Sequence, residues 1–133
     1  MKIISFNINS IRARPHQIEH LRDTLDPDVI GLQETKVNDP EFPIDVINEI
    51  GYHAEFWGQK GHYGVAILSK NKPITTVKGF INDSEDDQKR FIQSTFKFGE
   101  NGSGNLIMFR GNADRTKFRS WTAVFGMYSQ RLK

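Results

Sequence analysis

The 133-residue chain contains no cysteine, which excludes disulfide frameworks, thiolate metal sites and cysteine nucleophiles together. No apolar run approaches the roughly 18 residues that a membrane-spanning helix needs. The opening Met1–Asn7 turns polar too early for a secretory leader. The expectation is therefore a cytoplasmic domain with no membrane partner. Internal repeats and low-complexity tracts are also missing. Neither sign of charge dominates, the formal net being +2, but the charge is unevenly spread. Residues 1–98 carry 12 Lys/Arg against 14 Asp/Glu, a net of −2, and residues 99–133 carry 6 against 2, a net of +4. The basic surplus thus lies wholly in the last quarter. Ten Phe and two Trp supply enough large apolar area for one packed core, which excludes wholesale disorder.

Periodicity divides the chain into short elements. Residues 2–9 alternate, with Ile4, Phe6 and Ile8 on one face and Ser5, Asn7 and Asn9 on the other, as a half-buried strand does. Pro15 suits the first turn of a helix whose Ile18, Leu21 and Leu25 share a stripe, and Asp26-Pro27-Asp28 ends it. Val29–Leu32 is a continuous apolar run, expected of a strand covered on both faces, and it runs into Gln33-Glu34. Strand, helix, strand is the opening of an α/β fold. A second helix is predicted from Pro43 to Ile50, stopped by Gly51. Tyr52–Trp57 and Val65–Leu68 read as a hairpin joined by the Gly58–Gly64 loop. Further strands are predicted at 74–80, 91–98 and 106–109, with a charged surface loop at 82–89. Gly99–Asn105 reads as a linker. Beyond Arg110 no clean period emerges, although Trp121, Val124, Phe125 and Tyr128 are roughly helical in spacing.

Three constellations carry chemistry. Asn7 and Glu34 fall at the ends of two strands joined by one helix, where α/β sheets form ligand crevices. A carboxylate beside a neutral amide suits a hard, oxygen-liganded cation such as Mg²⁺; the plainer reading is a capping carboxylate and a turn former. Gly58-Gln59-Lys60-Gly61-His62-Tyr63-Gly64 could lay backbone amides and a cation along a phosphate backbone, or be a flexible loop. Arg12, Arg14 and Lys36 lie just past the strand ends. His16-Gln17-Ile18-Glu19-His20 satisfies H-x-x-E-H. With Ile18 at the buried meridian, however, both histidines fall toward solvent, so zinc binding there is not expected.

The segments Ser5–Gln17, Pro27–Lys36 with its Leu-Gln-Glu-Thr-Lys, and Gly58–Ala66, taken in that order, resemble bacterial exodeoxyribonuclease III, of the endonuclease/exonuclease/phosphatase superfamily. The likeness continues through Lys89–Ile92 to about Phe98, and Ser10 stands where the family usually has glycine. The resemblance implies an α/β fold, the N-terminal half of a two-sheet sandwich, in residues 1–98, followed by a non-family basic tail over 99–133. It implies Glu34 as ligand of Mg²⁺, or of Mn²⁺ in its place, and Asn7 as a second ligand or orienting catalytic group. Asn9 would lie behind them. Arg12, Lys36, Lys60, Gly61, His62, Tyr63 and Gly64 would hold double-stranded DNA, at abasic sites or 3′ ends, for phosphodiester hydrolysis.

Family segments that carry the remaining catalytic groups are not found after residue 98. The place of a Gly-Tyr-Phe-Pro-Gln-Gly segment reads Met108-Phe109-Arg110-Gly111, and Gly-Asp-x-Asn and Ser-Asp-His do not follow. The implied expectation is a truncated DNA-repair nuclease, inactive alone and prone to self-association through an exposed sheet face. The alternatives are a non-catalytic nucleic-acid-binding fragment and a phosphatase of the same superfamily.

Overall fold

The computed structural model describes residues 2–61, 63–79, 84 and 89–97, together with the backbone of 98, 102–109 and 122–129. Its elements are β1 (Ile3–Asn7), α1 (Pro15–Leu25), β2 (Val29–Gln33), a 3₁₀ turn (Asp39–Glu41), α2 (Ile44–Ile50), β3 (His53–Trp57), β4 (Val65–Ser69), β5 (Thr75–Lys78), β6 (Phe91–Phe98), β7 (Gly102–Phe109) and β8 (Thr122–Ser129). They form two four-stranded sheets, ordered β1-β2-β4-β3 and β5-β6-β7-β8. This is the mixed α/β, two-sheet architecture expected.

Alternation in the first sheet decides the layering. Its even-numbered side chains, Ile30, Leu32, Ala66 and Leu68 among them, join Ile18 of α1 and Ile47 and Ile50 of α2 in one core. Its odd-numbered ones, Val29, Val65 and Ile67, meet Ile92 and Phe96 of the second sheet in another. β2 is therefore buried at all five positions, which is why it reads as an unbroken apolar run. Truncating Ile30 or Ile67 to Ala would cost about 2–5 kcal/mol, as for buried aliphatics generally.

β1 and β2 pair in parallel, with Asn7 opposite Gln33, the arrangement that a helical crossover demands. β3 and β4 form the expected antiparallel hairpin, with Trp57 opposite Val65. The helix stops are those read from sequence: Asp26 at φ 46 after α1 and Gly51 at φ 112 after α2, each donating its amide back into the last turn. Leu25, placed on the buried stripe by its spacing, is 45% exposed; it is the last residue of α1.

Two expectations change, and a stretch left without an assignment gains one. The exposed inner sheet face is not seen: Val29, Val65 and Ile67 are at most 1% accessible, because β6 lays Ile92 and Phe96 over them. The linker read at Gly99–Asn105 gives way to β7, which begins at Gly102 and pairs with β6 along its whole length. The roughly helical spacing of Val124, Phe125 and Tyr128 belongs to a strand, β8, in register with β7. Eight ladder positions outweigh a weak period that lacks a cap and contains Gly126. Trp121, like most of the 82–89 loop, lies outside the described residues.

Candidate functional site at the strand ends

The C-terminal ends of β1 and β2 do not fray; they continue as a zipped set of loops. Beyond β1, the Ile8, Ser10 and Ile11 amides donate to the carbonyls of Gln33, Glu34 and Thr35. On the other side, the Thr35 and Lys36 amides donate to Gly64 and Tyr63. The Gly64 amide donates to the Lys89 carbonyl, which ties this end of the first sheet to the entry of β6.

Within this frame the Asn7 amide nitrogen donates to Glu34 Oε2 over 2.6 Å. Asn7 Oδ1 accepts from the Asn9 backbone amide at 3.0 Å. That second bond fixes the orientation of the side-chain amide, since a backbone N–H can only donate. Asn7 thus turns a donor, not a lone pair, toward the carboxylate. Strict strand alternation would send Glu34 to the helix-covered face, away from Asn7. Glu34 reaches it because its φ is 53. Asn9, Ser10 and Lys36 also have positive φ, at 47, 84 and 57. Four left-handed non-glycine residues in one loop cluster mark a site where neighbouring structure holds a strained backbone.

Basic side chains gather on the loops at this end of the sheet. Lys36 Nζ donates to Asn9 Oδ1 at 2.6 Å, and Arg14 donates to the Asn9 carbonyl. Arg12 and Lys60 both approach Glu41 Oε2, at 3.9 and 3.8 Å. Lys89 Nζ sits 3.8 Å from the centre of the Trp57 ring. Of the sequence-derived residues, Asn7, Asn9, Glu34 and Lys36 are directly connected. Arg12, Lys60, Tyr63 and Gly64 are drawn to the same end of the sheet, with Gly61 in the loop beside them. His62 lies outside the described residues.

The glycine-rich loop differs from the phosphate cradle suggested by its composition. Its Gly58 amide donates to Asp39 Oδ1 at 2.6 Å, and its Lys60 amide to Asn38 Oδ1 at 3.2 Å. With Gly64 also engaged, these three amides are spent inside the chain. Gly58 is glycine because of close approach: a Cβ there would lie 2.2 Å from the Val37 carbonyl oxygen. Gly64 is doubly constrained, by φ 98 and by Thr35 Oγ1, which a Cβ would meet at 2.1 Å. Thr35 is fully buried, and its hydroxyl finds no hydrogen-bond partner among the described residues.

Sequence reasoning missed the turn at Asn38–Glu41, which clasps the loop, and missed Lys89 as part of this basic group. Asn-Asp-Pro-Glu carried a turn signal, but nothing local pointed it at Gly58 and Lys60 about twenty residues on. His16 and His20 are exposed on α1, and no cluster of three or more His, Cys, Asp or Glu capable of holding a metal occurs among the described residues. A cleft of about 400 Å³, lined by Asp28, Ser69, Lys72 and Phe96 among others, opens at the opposite end of β2 and contains none of these residues. No helix among the described residues is long and apolar enough to cross a membrane.

Comparison with known proteins places this geometry. The chain is 55% identical to exodeoxyribonuclease III of Haemophilus influenzae in an alignment that takes in all of this chain and 51% of that protein. A 3′ phosphatase from Neisseria, solved with a product DNA hairpin, matches at 35% identity and a TM-score of 0.67, covering 73% of this chain and 38% of that one. An AP endonuclease from Archaeoglobus fulgidus matches at 38% identity and a TM-score of 0.65, over 72% of this chain and 37% of that one. The chain therefore spans about half the length, or less, of the relatives it matches. The Endonuclease/Exonuclease/phosphatase family matches residues 4–125, crossing the boundary drawn at 98/99 from charge and motif. The chain belongs to that family.

Proposed function

We propose that the strand-end cluster is part of a divalent-metal site for hydrolysing DNA phosphodiesters, as in a DNA-repair nuclease. The single observation that carries this reading is the Asn7–Glu34 contact, a carboxylate oriented by a neutral donor at 2.6 Å. The donor set fits a hard cation that keeps most of its waters and takes one or two protein carboxylates, which describes Mg²⁺, with Mn²⁺ able to replace it. Glu34 is the residue that would hold the ion. Asn7 turns its N–H toward Glu34, so it acts by holding that carboxylate in place. When bound, the ion would supply Lewis-acid polarisation of a phosphoryl oxygen.

The remaining residues have distinct tasks. Asn9 ties Asn7 to Lys36 through its amide and its side-chain oxygen. Arg12, Lys36, Lys60 and Lys89 offer charge to a phosphate backbone, which positions a duplex without reading its sequence. The Gly61–Gly64 segment shapes the loop that presents Lys60. The substrates in this reading are duplex DNA with abasic sites or 3′ ends, in the cytoplasm. The relative described as a 3′ phosphatase favours a 3′-phosphomonoester as a second substrate of the same site.

Glu34 is the carboxylate that Asn7 contacts, and the catalytic segments expected from the resemblance do not follow it in the sequence. The chain of 133 residues is accordingly expected to bind metal and DNA without measurable turnover, since absent base and oxyanion-stabilising groups each cost orders of magnitude in rate. The test is Mn²⁺ binding to the purified chain, with Glu34→Ala beside it, and cleavage of an abasic-site duplex in Mg²⁺. Binding that Glu34→Ala removes supports the site; equal Mn²⁺ uptake by both proteins refutes it. Glu34-dependent cleavage by the chain alone would overturn the expectation of inactivity.

A further inference from the structure

We infer that Glu41 is an internal stand-in for a DNA phosphate: its carboxylate holds Arg12 and Lys60 where a backbone phosphate takes them, and yields them when a strand binds. Arg12 follows β1 and Lys60 lies in the β3–β4 loop, 48 positions apart in sequence, yet both cations approach the same oxygen, Glu41 Oε2, at 3.9 and 3.8 Å. One anionic oxygen between a guanidinium and an ammonium is the pattern in which these side chains hold phosphate.

Glu41 also differs in kind from the rest of its turn. Asn38 and Asp39 bond to the loop's backbone amides, at Lys60 and Gly58, and so fix the loop's path. Glu41 meets the two cationic side chains instead. Its contacts are long, and the three side chains are half exposed, at 52%, 46% and 61% for Arg12, Glu41 and Lys60. Exposed pairs of this kind are individually weak, so an arriving phosphodiester, with the same single charge, can replace the carboxylate at little cost. Until then Glu41 gathers two flexible cations from separate loops and keeps them from closing on other acidic partners.

This rests on the DNA-backbone part of the proposed function and not on metal at Glu34, so the two can fail separately. The experiment is anisotropy of a fluorescein-labelled duplex with the whole chain, in EDTA at low salt. The proteins compared are the wild type, Glu41→Gln, Glu49→Gln, Arg12→Gln and the Glu41→Gln/Arg12→Gln double variant. Glu49 is exposed near the far end of α2 and matches the change in net charge. Glu41→Gln is expected to bind roughly three- to tenfold tighter, the scale of two weak exposed pairs released. Glu49→Gln should gain less than twofold, and the gain should disappear when Arg12 is Gln.

Equal or weaker binding by Glu41→Gln, an equal gain from Glu49→Gln, or a gain that survives Arg12→Gln each overturns the inference. So does a duplex that none of these proteins binds, a result that leaves Mn²⁺ binding at Glu34 standing. Conversely, loss of metal binding with the Glu41 pattern intact refutes the metal site alone.

Discussion

Asn7 gives Glu34 an N–H rather than a lone pair: its amide nitrogen donates over 2.6 Å while its oxygen is held by the Asn9 amide. The pair therefore behaves as an oriented carboxylate with a neutral positioning partner. Asn7→Ala should lower Mn²⁺ affinity about 10–100-fold, the usual cost of losing a group that orients a ligand, with little change in thermal stability. Asn7→Asp should do something different. Two carboxylates at this spacing cannot both ionise freely, so the metal-free variant should melt lower than wild type near neutral pH. Added Mg²⁺ should recover more stability in that variant than in wild type. Thermal scans with and without Mg²⁺ separate the cases, and identical behaviour of the two variants would contradict the orientation.

Gly64 and Thr35 test how tightly the zipped loops are packed. Gly64→Ala places a methyl 2.1 Å from Thr35 Oγ1 at a φ of 98, combining a clash with a left-handed penalty of about 1–2 kcal/mol. A loss of more than about 2 kcal/mol is expected in denaturant unfolding. Thr35→Ala removes a hydroxyl with no described partner, so it should cost little beyond its lost methyl. The double variant should recover part of the Gly64→Ala loss, because the clash goes and the backbone penalty stays. Simple addition of the two effects would mean that the contact is not the cause.

Ser10 carries φ 84 without being glycine. Ser10→Gly removes the side-chain penalty of that region and adds freedom to the unfolded chain, for a net gain of about 0.5–1 kcal/mol. A higher denaturation midpoint at unchanged slope would show it, and a lower midpoint would mean that the serine side chain earns its place by contacts.

How much of this was legible depends on range. β1, β2, β3 and β4 were readable because each buries side chains by simple alternation or on both faces. The stops at Asp26 and Gly51 were readable because turn chemistry is local. Strand ends singled out Asn7 and Glu34 as neighbours, and the resemblance implied their roles. What alternation could not give was the carboxylate's direction, since a left-handed φ at Glu34, a residue type with no special liking for it, reverses the face. Nor could it give the Asn38–Glu41 clasp, whose partners lie about twenty residues away. β8 was not read because no clean period emerges beyond Arg110, and its determinant is pairing with β7, a non-local term. The covering of the inner face by Ile92 and Phe96 was hidden for the same reason.

The end of the fold opposite Glu34 is held by groups whose titration should bound the stable pH range. Lys70 Nζ lies 2.7 Å from Asp26 Oδ1, and that hydrogen bond lowers the Asp26 carboxyl below its ordinary 3.8 and raises the Lys70 ammonium. Tyr52, buried and donating to the Pro27 carbonyl at 2.9 Å, is raised above its ordinary 10.0 chiefly by burial. A lowered acid contributes stability present above its unfolded pKa and lost as pH falls through the folded one. Raised bases and phenols contribute stability present below their unfolded values and lost as pH rises toward the folded ones. Thermal stability should therefore be flattest between these limits, with an acid limb from Asp26 and an alkaline limb from Tyr52 and Lys70. Asp26→Asn, which tolerates the φ of 46 at this cap, should melt below wild type near neutral pH and converge with it below pH 3.8. Tyr52→Phe should cost about 1 kcal/mol at neutral pH for the lost hydrogen bond, yet lose less than wild type between neutral pH and pH 11. Parallel curves for wild type and Asp26→Asn through the acid range would show that the Lys70–Asp26 contact does not form in solution.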